Sequence, residues 1–274
     1  MIELLKVSKS GYYKWKKNKN KREQKENKKL EVLRAIEDSH MGSRKTYGSP
    51  RVFKQLKGRG LKVSKTLIER LMRENNIKAK TKKKFKKTTD SKHKLPVAEN
   101  LLKQDFSAKA PNQVWASDIT YVATKEGWLF LAVIIDVFSR SVVGWSMDKN
   151  MKKELCLEAL RMAYFRRKPG KDLIHHSDKG SQYCSHEYRK QLKTYLMLCS
   201  MSGKGNCYDN AMVESFFHTL KTELIYHEIF ETREEAKRKI FEWIEVFYNR
   251  QRLHSTLGYK SPVNFELEHS QLCA

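Results

Sequence analysis

Three acids stand in apolar surroundings: Asp118 in WASDITY, Asp178 in LIHHSDKGSQY and Glu214 in DNAMVESFFHTLKTELI. Asp118 falls mid-strand, on the face shared with Ala116 and Thr120, where a charge is costly unless paired, hydrogen-bonded or bound to a cation. Asp178 closes the apolar run DLIHHS, at the carboxyl edge where open α/β sheets place their ligands. On a helical wheel Val213, Phe216, Phe217, Leu220 and Leu224 form a buried stripe. Asn210, Glu214, His218 and Lys221 form a polar row beside it, so Glu214 can face the sheet from the rim of the core. Three hard oxygen donors, with no cysteine or histidine triad among them, suit Mg²⁺ or Mn²⁺ rather than zinc. Two such ions about 4 Å apart can activate an attacking oxygen and stabilise the leaving one at phosphorus.

Spacing alone does not single these acids out. Asp178 and Glu214 lie 36 positions apart, but 31 acids in 274 residues make any one offset easy to meet by chance. Asp136 ends an apolar strand near Arg140 and reads as a turn or ion-pair acid. Asp209 precedes the last long helix and reads as its N-cap. His175 and His176, on a strand, read as hydrogen-bonding or phosphate-contacting groups rather than metal ligands, and His218 likewise.

The elements that must position these residues follow a clear order. VWASDITYVAT alternates like a strand, GWLFLAVIIDVF is a long apolar run, and SVVGWSM is a third strand, so 114–147 reads as an antiparallel meander. A helix (KKELCLEALRMAYFRR), the strand DLIHHS, the helix HEYRKQLKTYL, the short strand MLCSM and a helix from about Asn210 follow. The order β-β-β-α-β-α-β-α predicts a ribonuclease H-like α/β fold with a mixed five-stranded sheet and flanking helices.

Charge separates this core from what precedes it. Residues 1–110 hold 33 Lys and Arg against 11 Asp and Glu, a net of +22, while residues 111–274 hold 23 against 20, a net of +3. A surplus so lopsided repels itself unless a polyanion neutralises it, which points to nucleic acid. Residues 1–77 form a basic helical region: a short helix trailing into a charged one, a helical segment from Leu30 to a Gly42 stop, and two short helices. In the first of these Ser49 is the expected N-cap and Pro50 the first helical residue; Gly58 and Gly60 end it. Ser64 caps the second, with Leu67, Ile68 and Leu71 buried. The pair resembles a helix-turn-helix. Residues 78–107 read as a basic linker lying along a phosphate backbone, and 108–268 as the catalytic core with its C-terminal helix and tail. The five cysteines are odd in number and show no CxxC pairing, and neither a signal peptide nor a membrane span is apparent. A cytoplasmic, nucleoid-associated setting is expected.

The runs WASDITYV, LAVIIDVFSRSVVGW, HSDKGSQY, SMSGKGNCYDNAMVESFFHTLK and YNRQRLHSTLGYKSP resemble the integrase-core transposases of bacterial insertion sequences. The resemblance is to the second-reading-frame product (OrfB) of the insertion-sequence-three family. VSKSGYYKW and YGSPRVFKQLKGRGLKVSKTLIERLMRENNIKAK extend it upstream over nearly the whole chain. It implies a retroviral-integrase-like DDE triad, with its members at Asp118, Asp178 and Glu214, and two Mg²⁺ (or Mn²⁺) ions. It also implies that Lys221 contacts the transposon end, and that Asn249, Arg252, His254, Leu257 and Pro262 form the family's C-terminal signature. Lys221, His176, Lys179, His218, Arg252 and His254 are the residues expected to contact DNA. A homo-oligomer on DNA is expected, as is a partner in the upstream-frame (OrfA) product, because the family's further helix-turn-helix and leucine zipper lie in that frame. The expected activity is metal-dependent cleavage at element ends followed by strand transfer. Its rivals are a nuclease that cuts without joining and a non-catalytic DNA-binding regulator.

Overall fold

The structure, a computed structural model, describes residues 8–80, 98–102, 105, 107–203 and 210–272. The chain divides into two compact units, Met1–Lys80 and Thr81–Ala274. The linker expectation falls largely on residues outside those described, as do Asp209 and its expected capping role.

In the first unit α1 (Lys9–Lys17) is followed by α2 (Lys19–Gly42), α3 (Ser49–Gly58) and α4 (Lys65–Glu74). The charged stretch after Lys19 and the segment from Leu30 form one helix. Lys, Glu and Gln are good helix formers, and neither Gly nor Pro interrupts the run before Gly42. The cap of α3 is Gly48 rather than Ser49: its extended backbone (φ −88°, ψ 176°) leaves Ser49 and Pro50 in the first turn. Ser64 caps α4 as expected, its hydroxyl accepting from Leu67 N. Between the two helices Gly60 takes φ +83°, a left-handed conformation that side chains resist. Val52, Leu56, Ile68, Leu71 and Met72 are buried, as are Val32 and Ile36 of α2, while Lys65, Arg70 and Arg73 lie on the outside of α4.

The second unit carries β1 (Val114–Thr124), β2 (Gly127–Asp136), β3 (Val142–Asp148), α5 (Lys153–Arg167), β4 (Ile174–Ser177), the short α6 (Ser181–Cys184), α7 (His186–Thr194), β5 (Leu198–Met201) and α8 (Ala211–Glu223). A turn of 3₁₀ helix, α9 (Arg233–Glu242), a π-helical turn at Trp243–Tyr248 and α10 (Pro262–Leu272) complete it. The five strands form one mixed sheet in the order β3-β2-β1-β4-β5. β1, β2 and β3 pair antiparallel; β4 runs parallel to β1, and β5 parallel to β4. This is the mixed sheet that the element order predicts. Trp115, Ala132, Ile134 and Val143 pack with Leu155, Ala159, Ala163, Tyr188 and Leu192 in one core. Gly144 is required here, since a Cβ would meet the Ala159 carbonyl oxygen at 2.3 Å where α5 crosses β3. Val213, Phe216 and Leu220 of α8 are buried, and Phe216 meets Trp243 and Tyr248 edge-on, so the wheel's apolar stripe is the buried face.

Candidate active site

The topology brings two of the three acids together by register. β1 and β4 pair from Val114↔Ile174 through Ser117↔Ser177, and β4 ends there. Asp118 and Asp178 are the next residue on each strand, and parallel neighbours lie about 4.8 Å apart, so the two acids flank the fork where the strands part. The Asp118 carboxylate accepts from Ile119 N at 2.7 Å, and Asp178 Oδ1 accepts from Gly180 N at 2.9 Å. A Cβ at Gly180 would stand 2.9 Å from Asp178 Oδ1, so any larger residue there would push that carboxylate aside.

Burial pushes the half-buried Asp118 carboxyl well above the usual carboxylate range, and Asp178 pushes it further. Glu214 adds to this less strongly than Asp178, and Lys221 opposes it. All three acids therefore act on one point, with Lys221 beside them. Glu214 is exposed in the first turn of α8. Among the described residues no three acids, imidazoles or thiols form a ready-made metal cage. Asp118 and Asp178 are the adjacent pair, and Glu214, in the first turn of α8, lies near enough for its charge to act on Asp118.

The polar row on α8 is less uniform than the wheel suggests. Asn210 is buried, Glu214 and His218 are exposed, and Lys221 is half-buried with Nζ 5.1 Å from the centre of the Tyr121 ring. Burial lowers the Lys221 ammonium against the pull of Asp118. Lys221 is thus a held cation and not a solvated surface lysine. Lys179 is partly exposed in the turn beside Asp178.

Three of the residues expected to touch DNA, His176, Arg252 and His254, are buried. His176 is fully buried, its Nδ1 2.9 Å from Ser200 Oγ on β5. Arg252 is 5% exposed and grips Glu223 of α8 through Nε and Nη2 at 2.7–3.1 Å, with His254 against its other side. The C-terminal signature is a structural lock: the Asn249 amide accepts from Val142 N at 2.9 Å and donates to Val142 O at 3.0 Å, while Leu257 and Pro262 are buried. Sequence reasoning missed Glu223 as the partner of Arg252, and the buried stripe of α8 ending beside it was the available signal.

Asp136 is a turn acid. Fully buried, it accepts from Asn112 N, Trp115 Nε1, Phe138 N and Ser139 N, which explains its place at the end of β2. His175 is buried with Nε2 3.0 Å from Tyr188 Oη, and burial lowers its pKa from 6.5 to about 3. The unfolded chain therefore takes up a proton below pH 6.5 that the folded chain refuses, so stability falls as pH drops from 6.5 towards 3. For this group the loss is about 2 kcal/mol between pH 7 and pH 5. Urea unfolding at both values should show a shallower decline for His175→Gln than for the unaltered chain; equal slopes would remove His175 as the cause.

An integrase core domain model matches residues 108–207, a second integrase core model 214–269, and a helix-turn-helix-like domain model 26–85. The insertion element IS600 uncharacterized 31 kDa protein of Shigella sonnei is 47% identical over 276 residues, covering 100% of both chains. Transposase InsF for insertion sequence IS3A of Escherichia coli (strain K12) is 44% identical over 266 residues, 97% of this chain and 92% of that one. Among solved structures, the simian T-cell lymphotropic virus intasome in complex with PP2A regulatory subunit B56 gamma has a chain that is similar at a TM-score of 0.50 and 16% identity. That alignment covers 85% of this chain and 73% of the other, and at such identity it speaks for the fold. With near-complete coverage at this identity, and with integrase core and helix-turn-helix-like models matched, the chain belongs to the IS3 family of insertion-sequence transposases.

Proposed function

We propose that this transposase cuts DNA at the ends of its element and joins the freed ends to new DNA at the β1–β4 fork. Asp118, Asp178 and Glu214 would be its catalytic acids. The observation that carries the reading is the crowding of Asp118 by Asp178 at the point where two parallel strands separate. Integrase-core enzymes depend on a divalent metal. The residues fit one: the donors are hard carboxylate oxygens, and Asp118 is held so far from its ordinary range that a cation is the natural partner for its charged form. Asp118 and Asp178 would hold the metal from the sheet, and Glu214 would complete the set from α8, with two ions as the expected number. When bound, the metal supplies Lewis acidity towards phosphate oxygens and neutralises developing charge. The rigid strands fix the two aspartates, and Lys221 stands ready to hold a phosphate beside them. Hydrolysis at the element's end frees a 3′-hydroxyl, which attacks a second phosphodiester with no covalent link to protein. Catalysis rests on positioning and charge. Duplex DNA is the partner, read in part by α3 and α4. A homo-oligomer, the upstream-frame product and a nucleoid setting complete the proposal. Among the described residues no helix is long and apolar enough to cross a membrane.

The test is to incubate the chain, alone and joined to the upstream-frame product, with linear element ends and Mg²⁺, and to sequence the products. Cut and joined strands are expected. Cutting without joining would leave a nuclease, and DNA binding with no metal-dependent product would leave a regulator.

Two further outcomes follow. The surplus of basic residues implies many phosphate contacts, so DNA affinity should fall steeply, by roughly 10³-fold or more, between about 50 and 200 mM salt. Filter binding across that range checks it, and a flat response would assign the basic region another task. Lys221→Ala should slow processing of element ends several-fold, more than Lys152→Ala or Lys190→Ala, which alter exposed lysines on other elements. Its effect on stability should stay near 1 kcal/mol, the scale of a lost cation–π contact. Parity among the three variants would make Lys221 a packing residue only.

A further inference from the structure

Trp128 is 53% exposed, an unusual position for the side chain with the largest apolar area. It does not sit on a loose loop. The β1–β2 hairpin is bolted down by Arg233 at the start of α9, whose Nη2 donates to Glu126 O at 2.6 Å and whose Nε donates to Trp128 O at 3.0 Å. Gly127 takes φ +107°, a conformation that side chains resist, and a Cβ there would lie 2.9 Å from Arg233 Nη2. Thr124 Oγ1 closes the turn on Gly127 O at 2.7 Å. The fold thus holds a large exposed indole in a fixed position.

The indole meets Tyr121 edge to face, with ring centres 5.0 Å apart and planes at 82°. Tyr121 in turn lies under the Lys221 ammonium at 5.1 Å, and Lys221 is the cation whose field reaches Asp118. From Asp118 onward β1 has no β4 partner among the described residues. Tyr121 is three residues beyond Asp118 on the same strand, about 10 Å along it and on the opposite face by strand alternation, so the link between them runs through Lys221. An aromatic pair and the Lys221 cation therefore lie together next to the fork of acids.

We propose that Tyr121 and Trp128 form a stacking platform for a nucleobase pulled out of the duplex near the scissile phosphate. The inference rests on the reading of the fork as the cutting site and adds a base-binding subsite to it. Every base has a π-face, so a platform of this kind needs no sequence code. A splayed base would free the terminal strand to bend into the fork while Lys221 holds its phosphate. At about 3.4 Å of rise per nucleotide in duplex DNA, the distance from Asp118 places that base within roughly three positions of the cut.

The probe is a set of duplexes of the element's own end, each with 2-aminopurine at one of the three positions on either side of the cut, bound without divalent metal. With the unaltered chain one position should be quenched by stacking, at least twofold relative to its emission with Trp128→Ala. Trp128→Phe should restore most of the quench. Phe165→Ala, which removes another exposed aromatic on α5, should behave like the unaltered chain. Asp118→Asn should keep the quench while losing cleavage in Mg²⁺, so the two readings fail separately. Continued cutting by Asp118→Asn with the quench intact would sink the acid assignment and leave the platform standing. Equal emission from the unaltered chain and Trp128→Ala at every position would overturn the platform. So would an unchanged signal accompanied by a shift in sedimentation of Trp128→Ala, which would make Trp128 a contact between copies of the chain.

Discussion

Asp118→Asn is expected to abolish strand cleavage, with a loss on the order of 10³-fold or more, while the protein remains folded. A metal acting as a Lewis acid contributes several kcal/mol to the transition state, and three decades of rate correspond to about 4 kcal/mol. Asn keeps the shape of the side chain and removes the charge that a cation would need. The stability side has the opposite sign. Burial and Asp178 hold the Asp118 carboxyl well above its ordinary range, so its charged form is a strained presence in the metal-free protein. The neutral amide relieves that repulsion, and the metal-free variant should melt at the same temperature or higher. Cleavage of labelled ends in Mg²⁺ and a thermal melt in chelator are the two measurements. Near-normal cutting by this variant would falsify the assignment of Asp118, and a collapse in melting temperature would make it a folding residue.

Arg252→Ala should be the most damaging substitution for stability, by about 3–5 kcal/mol, because it leaves the Glu223 carboxylate buried without its cation. Both side chains are less than a tenth exposed, and the pair is bidentate. Glu223→Ala should cost a similar amount for the mirror reason. The double variant should cost less than the two singles added together, since neither charge is then stranded. Urea unfolding of the three proteins supplies the cycle. If Arg252 contacts DNA instead, Arg252→Ala will unfold normally and lose affinity for element ends. Additive losses in the double variant would show that the two groups do not act as a pair.

Much of the catalytic unit was legible in local pattern. The alternation in WASDITY and the apolar run after Gly127 determined β1 and β2, because a period of two leaves one face to bury. The polar row beside the stripe of α8 was visible for the same reason at a period of 3.6. The differences between sequence pattern and structure lie in local geometry. Gly48 and Ser49 are both acceptable caps by type, and only backbone dihedrals choose between them. The basic stretch before Leu30 looked like a separate helix because it has no apolar periodicity, yet propensity alone carries it into α2.

By itself the sequence determined the element order, the buried stripes, the division of charge between the two parts of the chain, and the three acids as candidates. These are properties of near neighbours along the chain, where spacing translates directly into a face or a net charge. Tertiary structure alone decided which acids share a point. Asp118 and Asp178 are 60 positions apart and meet because the β1–β4 register runs out at Ser117 and Ser177. It also decided that Asp136 serves a turn, that His176 and Arg252 are interior, and that Trp128 is held in the open by Arg233. A charged or aromatic side chain reads the same in sequence whether it is exposed or sealed against a partner. The difference lies in what the rest of the chain packs against it, and one-dimensional spacing does not carry that information.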